Sequence, residues 1–214
     1  MSDKSNKYGY VGVDIPEQSF GNNKGIFNPA EINELVADNK WTQYGQLELI
    51  ETQTVSSAFA DFESLGSYNV HLFTLNNVVP SSATNIGLRV SNDGGTSYEA
   101  TGYQYAWQRG YPSTFTELKS TSSDRIQING SIGTGTNDAL NGYVYGYNLL
   151  DSSKYSFFTF HTIGSLSSSS IYALMSFGSG VKPTAETHNG VRFGTGSFSA
   201  LTSGSISLYG IRYS

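Results

Sequence analysis

Residues 68–78 read Tyr68-Asn-Val-His-Leu-Phe-Thr-Leu-Asn-Asn-Val78, and their side chains alternate with a period of two. Taking every second residue places Val70, Leu72 and Thr74 on one face and the intervening side chains on the other. Successive side chains of a β-strand point to opposite faces of the sheet. This stretch therefore predicts a strand, and the same period recurs along the chain from Gln46 onward.

Further strand-forming segments follow at short, uneven intervals, separated by turn clusters rich in Gly, Ser, Asn and Thr. These segments are residues 46–54, 85–90, 102–108, 125–128, 141–147, 155–163, 171–177, 190–193 and 205–213. Asn92-Asp-Gly-Gly95 is typical of a hairpin turn, because these residues tolerate positive φ. Short strands without a repeated unit predict an all-β fold, a jelly-roll or two-sheet β-sandwich over residues 46–214.

The composition supports an all-β protein and excludes several function classes. Only 14% of residues are charged, whereas the chain has 15 Tyr, 12 Phe and 24 Gly, a balance that disordered chains do not have. The chain has no Cys, which excludes disulfides, zinc-thiolate sites and thiol catalysis. A net charge of −5 without a basic stripe argues against a nucleic-acid partner. No apolar run is long enough to insert into a membrane as a helix.

Residues 1–45 differ from the rest and predict an extended N-terminal arm with one short helix, a docking and assembly segment. Asn28 is a typical N-cap, Pro29 suits the first helical position, and Glu31 lies where a capping-box carboxylate would. Apolar and aromatic side chains of the arm are the candidate assembly contacts, although they could instead pack on the chain's own sandwich. They are Tyr8, Tyr10, Val11, Val13, Ile15, Ile32, Leu35, Val36 and Trp41.

No motif in the sequence indicates catalysis or metal binding. The three histidines lack the spacing of a metal site; they are His71, His161 and His188. Asp61 and Glu63 would share a strand face at a separation that a glycosidase can use, but solvent-facing polar positions are the simpler interpretation. Asn92-Asp-Gly94 matches only the start of a calcium loop. We therefore expect no catalytic residue, no metal ligand and no cofactor.

One strand carries an aromatic stripe that is the candidate ligand surface. Tyr103, Tyr105 and Trp107 share a face, and Tyr111 follows them. Exposed rings with polar neighbours can stack on sugars, whereas the same alternation in a β-sandwich buries one face in the core or in a subunit interface. An exposed stripe would favour glycan binding, and a buried stripe would favour a structural role.

Residues 68–80, 85–98 and 102–107 resemble a segment that is common in virion proteins of tailed bacteriophages. In that segment a strand ending in Asn-Val-Val-Pro80 leads to a strand with an Asp-Gly-Gly turn, and an aromatic strand follows. Residues 203–213 are similar to the family's final strand, and residues 8–54 look like structural proteins of phages that infect marine bacteria or cyanobacteria. The family supplies no catalytic residues that could be carried over.

The resemblance implies a non-enzymatic structural protein of the virion, made in the host cytoplasm and released by lysis. Its polar N-terminus, which has no features of a secretory signal, agrees with that route. The implied partners are further copies of the chain, as a homotrimer, and capsid or tail proteins docked by residues 1–45. Capsid decoration or short fibre-like attachment is favoured, because the chain lacks the heptads of a long fibre shaft. The alternative is a tail-fibre or receptor-binding module that recognises a host surface glycan through the aromatic stripe.

Overall fold

The computed structural model describes residues 29–37, 47–196 and 198–211. The chain divides into two units, Met1–Tyr44 with Ser214, and Gly45–Tyr213, and each is described by itself. In the first unit, helix α1 spans Pro29–Ala37, which confirms the predicted short helix and its start at Pro29. Ile32 and Leu35 are half-buried on this helix.

The described part of the second unit contains twelve β-strands and one short 3-10 helix, Ser167–Ser169. The strands are β1 (Leu47–Thr54), β2 (Ala60–Phe62), β3 (Val70–Pro80), β4 (Ile86–Ser91), β5 (Tyr103–Tyr111), β6 (Thr114–Ser123), β7 (Ile126–Gln127), β8 (Leu140–Tyr147), β9 (Ser156–Leu166), β10 (Ile171–Lys182), β11 (Gly190–Thr195) and β12 (Leu201–Ile211). Every predicted strand segment is found, which confirms the all-β fold. Strands β2 and β6 were not predicted, because β2 is very short and β6 is mostly polar.

The strands form two antiparallel sheets with a jelly-roll order. The smaller sheet has the order β2-β11-β4-β7, and the larger sheet has the order β1-β12-β3-β8-β9-β10-β5-β6. One long hairpin wrapped over itself supplies the first four strands of the larger sheet and all four strands of the smaller sheet. This arrangement is the jelly-roll topology. The hairpins β9-β10 and β5-β6 then extend the larger sheet to eight strands.

The turn at Asn92–Gly95 is present, but the predicted hairpin is wrong. Gly94 and Gly95 have φ values of +72° and +87°. However, β4 belongs to the smaller sheet and β5 to the larger one, so the turn begins a crossover between sheets. The Asp93 carboxylate accepts hydrogen bonds from the Ser97 amide at 2.9 Å and the Ser97 hydroxyl at 2.6 Å, which lowers the pKa of Asp93 to about 2. This carboxylate therefore holds the turn together.

Aromatic side chains from both sheets meet in the core between them. Phe73 of the larger sheet contacts Phe62 and Phe193 of the smaller sheet, with ring centroids 5.4 Å and 5.3 Å apart in edge-on geometry. All three rings are fully buried. Edge-on pairs of this kind add to the free energy gained by burying apolar area, so the three rings join the sheets at this point.

A tyrosine also connects the sheets by hydrogen bonds. Tyr103 of β5 is fully buried, and its hydroxyl accepts a bond from the Val90 amide at 2.8 Å and donates to the Glu99 carbonyl at 3.0 Å. Val90 belongs to β4 in the opposite sheet. Burial raises the pKa of Tyr103, so the hydroxyl stays protonated and able to donate.

We expect Tyr103→Phe to lower the free energy of unfolding by about 1–3 kcal/mol, because the buried Val90 amide loses its partner. Urea denaturation of the full chain measures this change. Tyr143→Phe is the matched control, because Tyr143 is 42% exposed, and its effect should stay within about 0.5 kcal/mol. Equal stability of the Tyr103→Phe protein and the wild type would show that the hydroxyl does not join the sheets.

Candidate functional site

Five adjacent strands of the larger sheet are almost free of charge. Within the bounds given above, β12, β3, β8, β9 and β10 contain no Asp, Glu or Arg, and their single Lys is Lys182 at the end of β10. The Lys182 side chain is only 7% exposed, because it turns inward to Glu99. The outer surface of these strands therefore presents no ionic side chain to solvent.

The strand register places aromatic residues together on this outer surface. On β9, Phe158 and Phe160 are buried in the core while Phe157, His161 and Ile163 are exposed, so the strand alternates strictly. Their partners on β8 and β10 lie on the same side of the sheet. We call this surface the aromatic face; its residues are Tyr143, Tyr145, Tyr147, Phe157, His161, Ile163, Met175 and Phe177.

Neighbouring rings of the aromatic face contact one another. The His161 ring lies between Tyr143 and Phe177, with centroids 6.0 Å and 6.4 Å away. Along β8, Tyr145 lies 5.6 Å from Tyr143 and 6.2 Å from Tyr147. Cross-strand aromatic pairs stabilise a sheet and restrict the rotamers of each ring. The face is therefore a preorganised surface.

Small side chains beside the rings leave hollows in the sheet surface. A groove of about 780 Å³ runs over Ser179 and Gly180, with Phe157 on one side and Lys119 on the other. A second hollow of about 570 Å³ is lined by Tyr143, His161, Met175 and Phe177. Alternating rings and hollows allow another surface to interdigitate with this one.

The predicted glycan stripe faces the core instead. Tyr103 is 0% exposed and Trp107 is 3% exposed, so the prediction of glycan contact is wrong for both residues. Tyr105 and Tyr111 share that inward face and pack, half-buried, against the core. The alternation predicted correctly which residues share a face, but the choice of inner face depends on how the two sheets pack.

Asp61 and Glu63, the two carboxylates considered for glycoside hydrolysis, contact other side chains and backbone of the fold. Asp61 forms a bidentate ion pair with Arg192, with both nitrogen–oxygen distances at 2.6 Å. The Arg192 guanidinium also lies 4.0 Å from the centre of the Tyr98 ring. Glu63 packs beside Gly95, where an added Cβ would lie 2.6 Å from the Glu63 Cγ. The Asp61 carboxylate is therefore occupied by its partner on β11.

Three of the predicted assembly contacts lie on α1. Ile32 and Leu35 lie half-buried on α1, and Val36 belongs to the same helix. The others lie outside the described residues; they are Tyr8, Tyr10, Val11, Val13, Ile15 and Trp41.

None of the helices within residues 29–37, 47–196 and 198–211 has the length and apolar character that crossing a membrane requires.

The three histidines occupy three different environments. His71 is buried and its Nε2 lies 2.9 Å from the Leu65 carbonyl oxygen, while burial lowers its pKa. His161 is exposed on the aromatic face. His188 is buried beside two glutamates in the connection between β10 and β11.

Comparison of the chain with protein-family models, curated proteins and solved structures found no match. The outer surface of the larger sheet is therefore the feature that indicates a function. The sequence analysis predicted the stripe at residues 103–111 and missed the aromatic face. The signal for that face lies in residues 141–147 and 155–163, which are rich in rings and contain no Asp, Glu, Lys or Arg.

Proposed function

We propose that this chain is a non-enzymatic structural protein of a bacteriophage virion, a capsid decoration or short attachment protein. Its jelly-roll module associates with further copies of itself through the aromatic face. The observation that carries this proposal is the uncharged, ring-rich outer surface of the larger sheet. Placement in a phage virion is supported by the sequence resemblance alone.

The exposed apolar area suits a protein interface. Among the described residues, six exposed aromatic side chains keep 41–71% of their surface accessible; they are Phe115, Tyr143, Tyr155, Phe157, Tyr172 and Phe177. Each such side chain has roughly 150–250 Å² of surface, so together they expose on the order of 600 Å². The largest apolar patch of a monomer is about 300–600 Å², and a stable interface buries about 800 Å² per partner. Leu47, Leu49 and Ile163, each more than half exposed, add further apolar area.

The free energies favour association over a bare face. Covering about 600 Å² of apolar surface on one copy contributes about 15 kcal/mol. Association costs about 4–15 kcal/mol in lost freedom, so the gain exceeds this cost over most of the range and only equals it at the upper end. The absence of charged groups removes the further cost of desolvating ions, and interface cores are depleted of Lys, Glu and Asp for that reason. A closed ring of three copies covers the aromatic face of each copy with a different part of the next copy, and it agrees with the trimer that the resemblance implies.

Residues 1–45 supply the attachment to the particle in this proposal. Helix α1 at Pro29–Ala37 is the part of that segment that the structure describes. The partner would be a capsid or tail protein, and the jelly roll would be the displayed module.

Glycan binding stays as a second candidate at a new location. The groove of about 780 Å³ joins an exposed ring, Phe157, to the polar side chains of Gln104 and Lys119. A ring flanked by hydrogen-bond donors can stack on a sugar. This groove adjoins the aromatic face, so self-association and glycan binding compete for neighbouring surface.

We expect the full chain to behave as a trimer of 23.2 kDa subunits in sedimentation velocity, and Phe177→Lys to shift it to monomer. A lysine on the aromatic face must be desolvated on association, whereas in the monomer it stays in water. Ser82→Lys, on an exposed loop between β3 and β4, is the matched control and should stay trimeric. A monomeric wild type, or a trimeric Phe177→Lys protein, would contradict self-association through this face.

We expect deletion of residues 1–40 to leave a folded jelly roll that no longer joins particles. The measurement is an immunoblot of purified particles from an infection that supplies only the truncated chain. Circular dichroism of the purified truncated protein shows whether the strands form. Incorporation of the truncated chain at the wild-type level, or its failure to fold, would refute the docking role of residues 1–45.

A further inference from the structure

A buried histidine near the β4–β5 crossover faces two carboxylates. His188 is 0% exposed, and its Nε2 has no hydrogen-bond partner among the described residues. That nitrogen lies 3.4 Å from the Glu186 Oε1 and 3.7 Å from the Glu99 Oε1. An unpaired buried nitrogen is costly, so its surroundings need a physical reason.

In each of the side chains of His188, Glu186 and Glu99, the second polar atom already has a hydrogen-bond or ion-pair partner. The Nδ1 of His188 lies 2.7 Å from the buried Ser156 hydroxyl. The Oε2 of Glu186 accepts a hydrogen bond from the Asn92 side-chain amide at 3.0 Å. The Oε2 of Glu99 is ion-paired with Lys182, whose Nζ also donates to the Thr101 carbonyl at 3.0 Å.

This arrangement leaves one unused ligand atom on each side chain, and the three atoms converge. The ligand atoms of Glu99, Glu186 and His188 all lie within 4.8 Å of one another. An ion with bonds of about 2.0–2.2 Å in tetrahedral geometry holds its ligands about 3.3–3.6 Å apart. The nitrogen–oxygen distances of 3.4 Å and 3.7 Å are therefore close to those of a coordinated ion.

The charges of the cluster also favour a cation between these atoms. Lys182 balances one of the two carboxylates, so one negative charge is left. When Nδ1–H donates to Ser156, the lone pair of Nε2 faces the carboxylate oxygens, and this contact is repulsive.

We propose that Glu99, Glu186 and His188 bind one divalent transition-metal ion, with Zn²⁺ as the best-suited ion. Imidazole with carboxylates is a ligand set that Zn²⁺ accepts, whereas Ca²⁺ and Mg²⁺ prefer oxygen ligands in larger number. Ser156, Asn92 and Lys182 orient the ligands, as outer partners do at metal sites.

The ion joins two connections of the jelly roll. Glu99 lies on the crossover from β4 to β5, and its amide donates to the Val90 carbonyl at 2.9 Å. Glu186 and His188 lie between β10 and β11, where the His188 amide donates to the Leu149 carbonyl at 2.6 Å. A metal that binds only the folded state adds its binding free energy to the free energy of unfolding. The site is therefore a structural crosslink between two connections, separate from the aromatic face.

The test begins with the full chain stripped by a chelator and titrated with ZnCl₂. Isothermal titration should give one ion per chain, and the thermal midpoint should rise with zinc concentration. Glu186→Gln, at a partly exposed position, should weaken binding about 100-fold or more, and His188→Gln should do the same. Asn92→Ala should weaken binding about 10–100-fold, because it frees the Glu186 side chain. Glu117→Gln is the matched control outside the cluster and should bind like the wild type.

Three results would overturn the proposal. The first is the absence of a binding heat and of a midpoint shift with Zn²⁺, which would leave a shared proton between the carboxylates as the explanation. The second is wild-type affinity in Glu186→Gln, which would place the ion elsewhere. The third is tighter binding of Ca²⁺ than of Zn²⁺, unchanged by His188→Gln. Should His188→Gln fail to fold, Glu186→Gln and Asn92→Ala still decide between these outcomes.

Discussion

A β-strand has two faces, and in the middle of the larger sheet both faces are apolar. The inner rings, such as Phe73 and Phe158, are covered by the smaller sheet and the rest of the core. The outer rings, such as Tyr143 and Phe177, are exposed although they are aromatic as well. Because burial of apolar area is the main stabilising contribution, an exposed surface of this kind marks an interaction site. We propose that copies of the chain associate through it.

Three buried polar side chains near the crossovers have defined partners. The Tyr103 hydroxyl, the Lys182 ammonium and the Ser156 hydroxyl all make contacts within hydrogen-bond distance. These contacts join connections between the two sheets, where regular ladder hydrogen bonds end. The Nε2 of His188 has no such partner, and a bound ion would supply one.

Much of the fold could be predicted from local patterns, because a period of two and a turn are local properties. The strand at residues 68–78 and the helix beginning at Pro29 are both found where their patterns place them. The predictions that were wrong depend on contacts between residues that are distant in sequence. The turn after β4 does not encode which sheet the next strand joins, and the alternation at Tyr103 and Trp107 does not encode which face is covered. The cluster at His188 was missed because Glu99 lies far from it in sequence.

We propose that other copies of the chain cover the aromatic face in the native protein. Hydroxyl-radical footprinting of the full chain, read by mass spectrometry, tests this proposal by measuring the oxidation rate of each ring. We expect Phe177 to be oxidised almost as slowly as the core residue Phe73 at concentrations where the protein is assembled, and faster on dilution. Oxidation of Phe177 at the rate of a 41%-exposed ring, whatever the protein concentration, would show that no other copy covers this face.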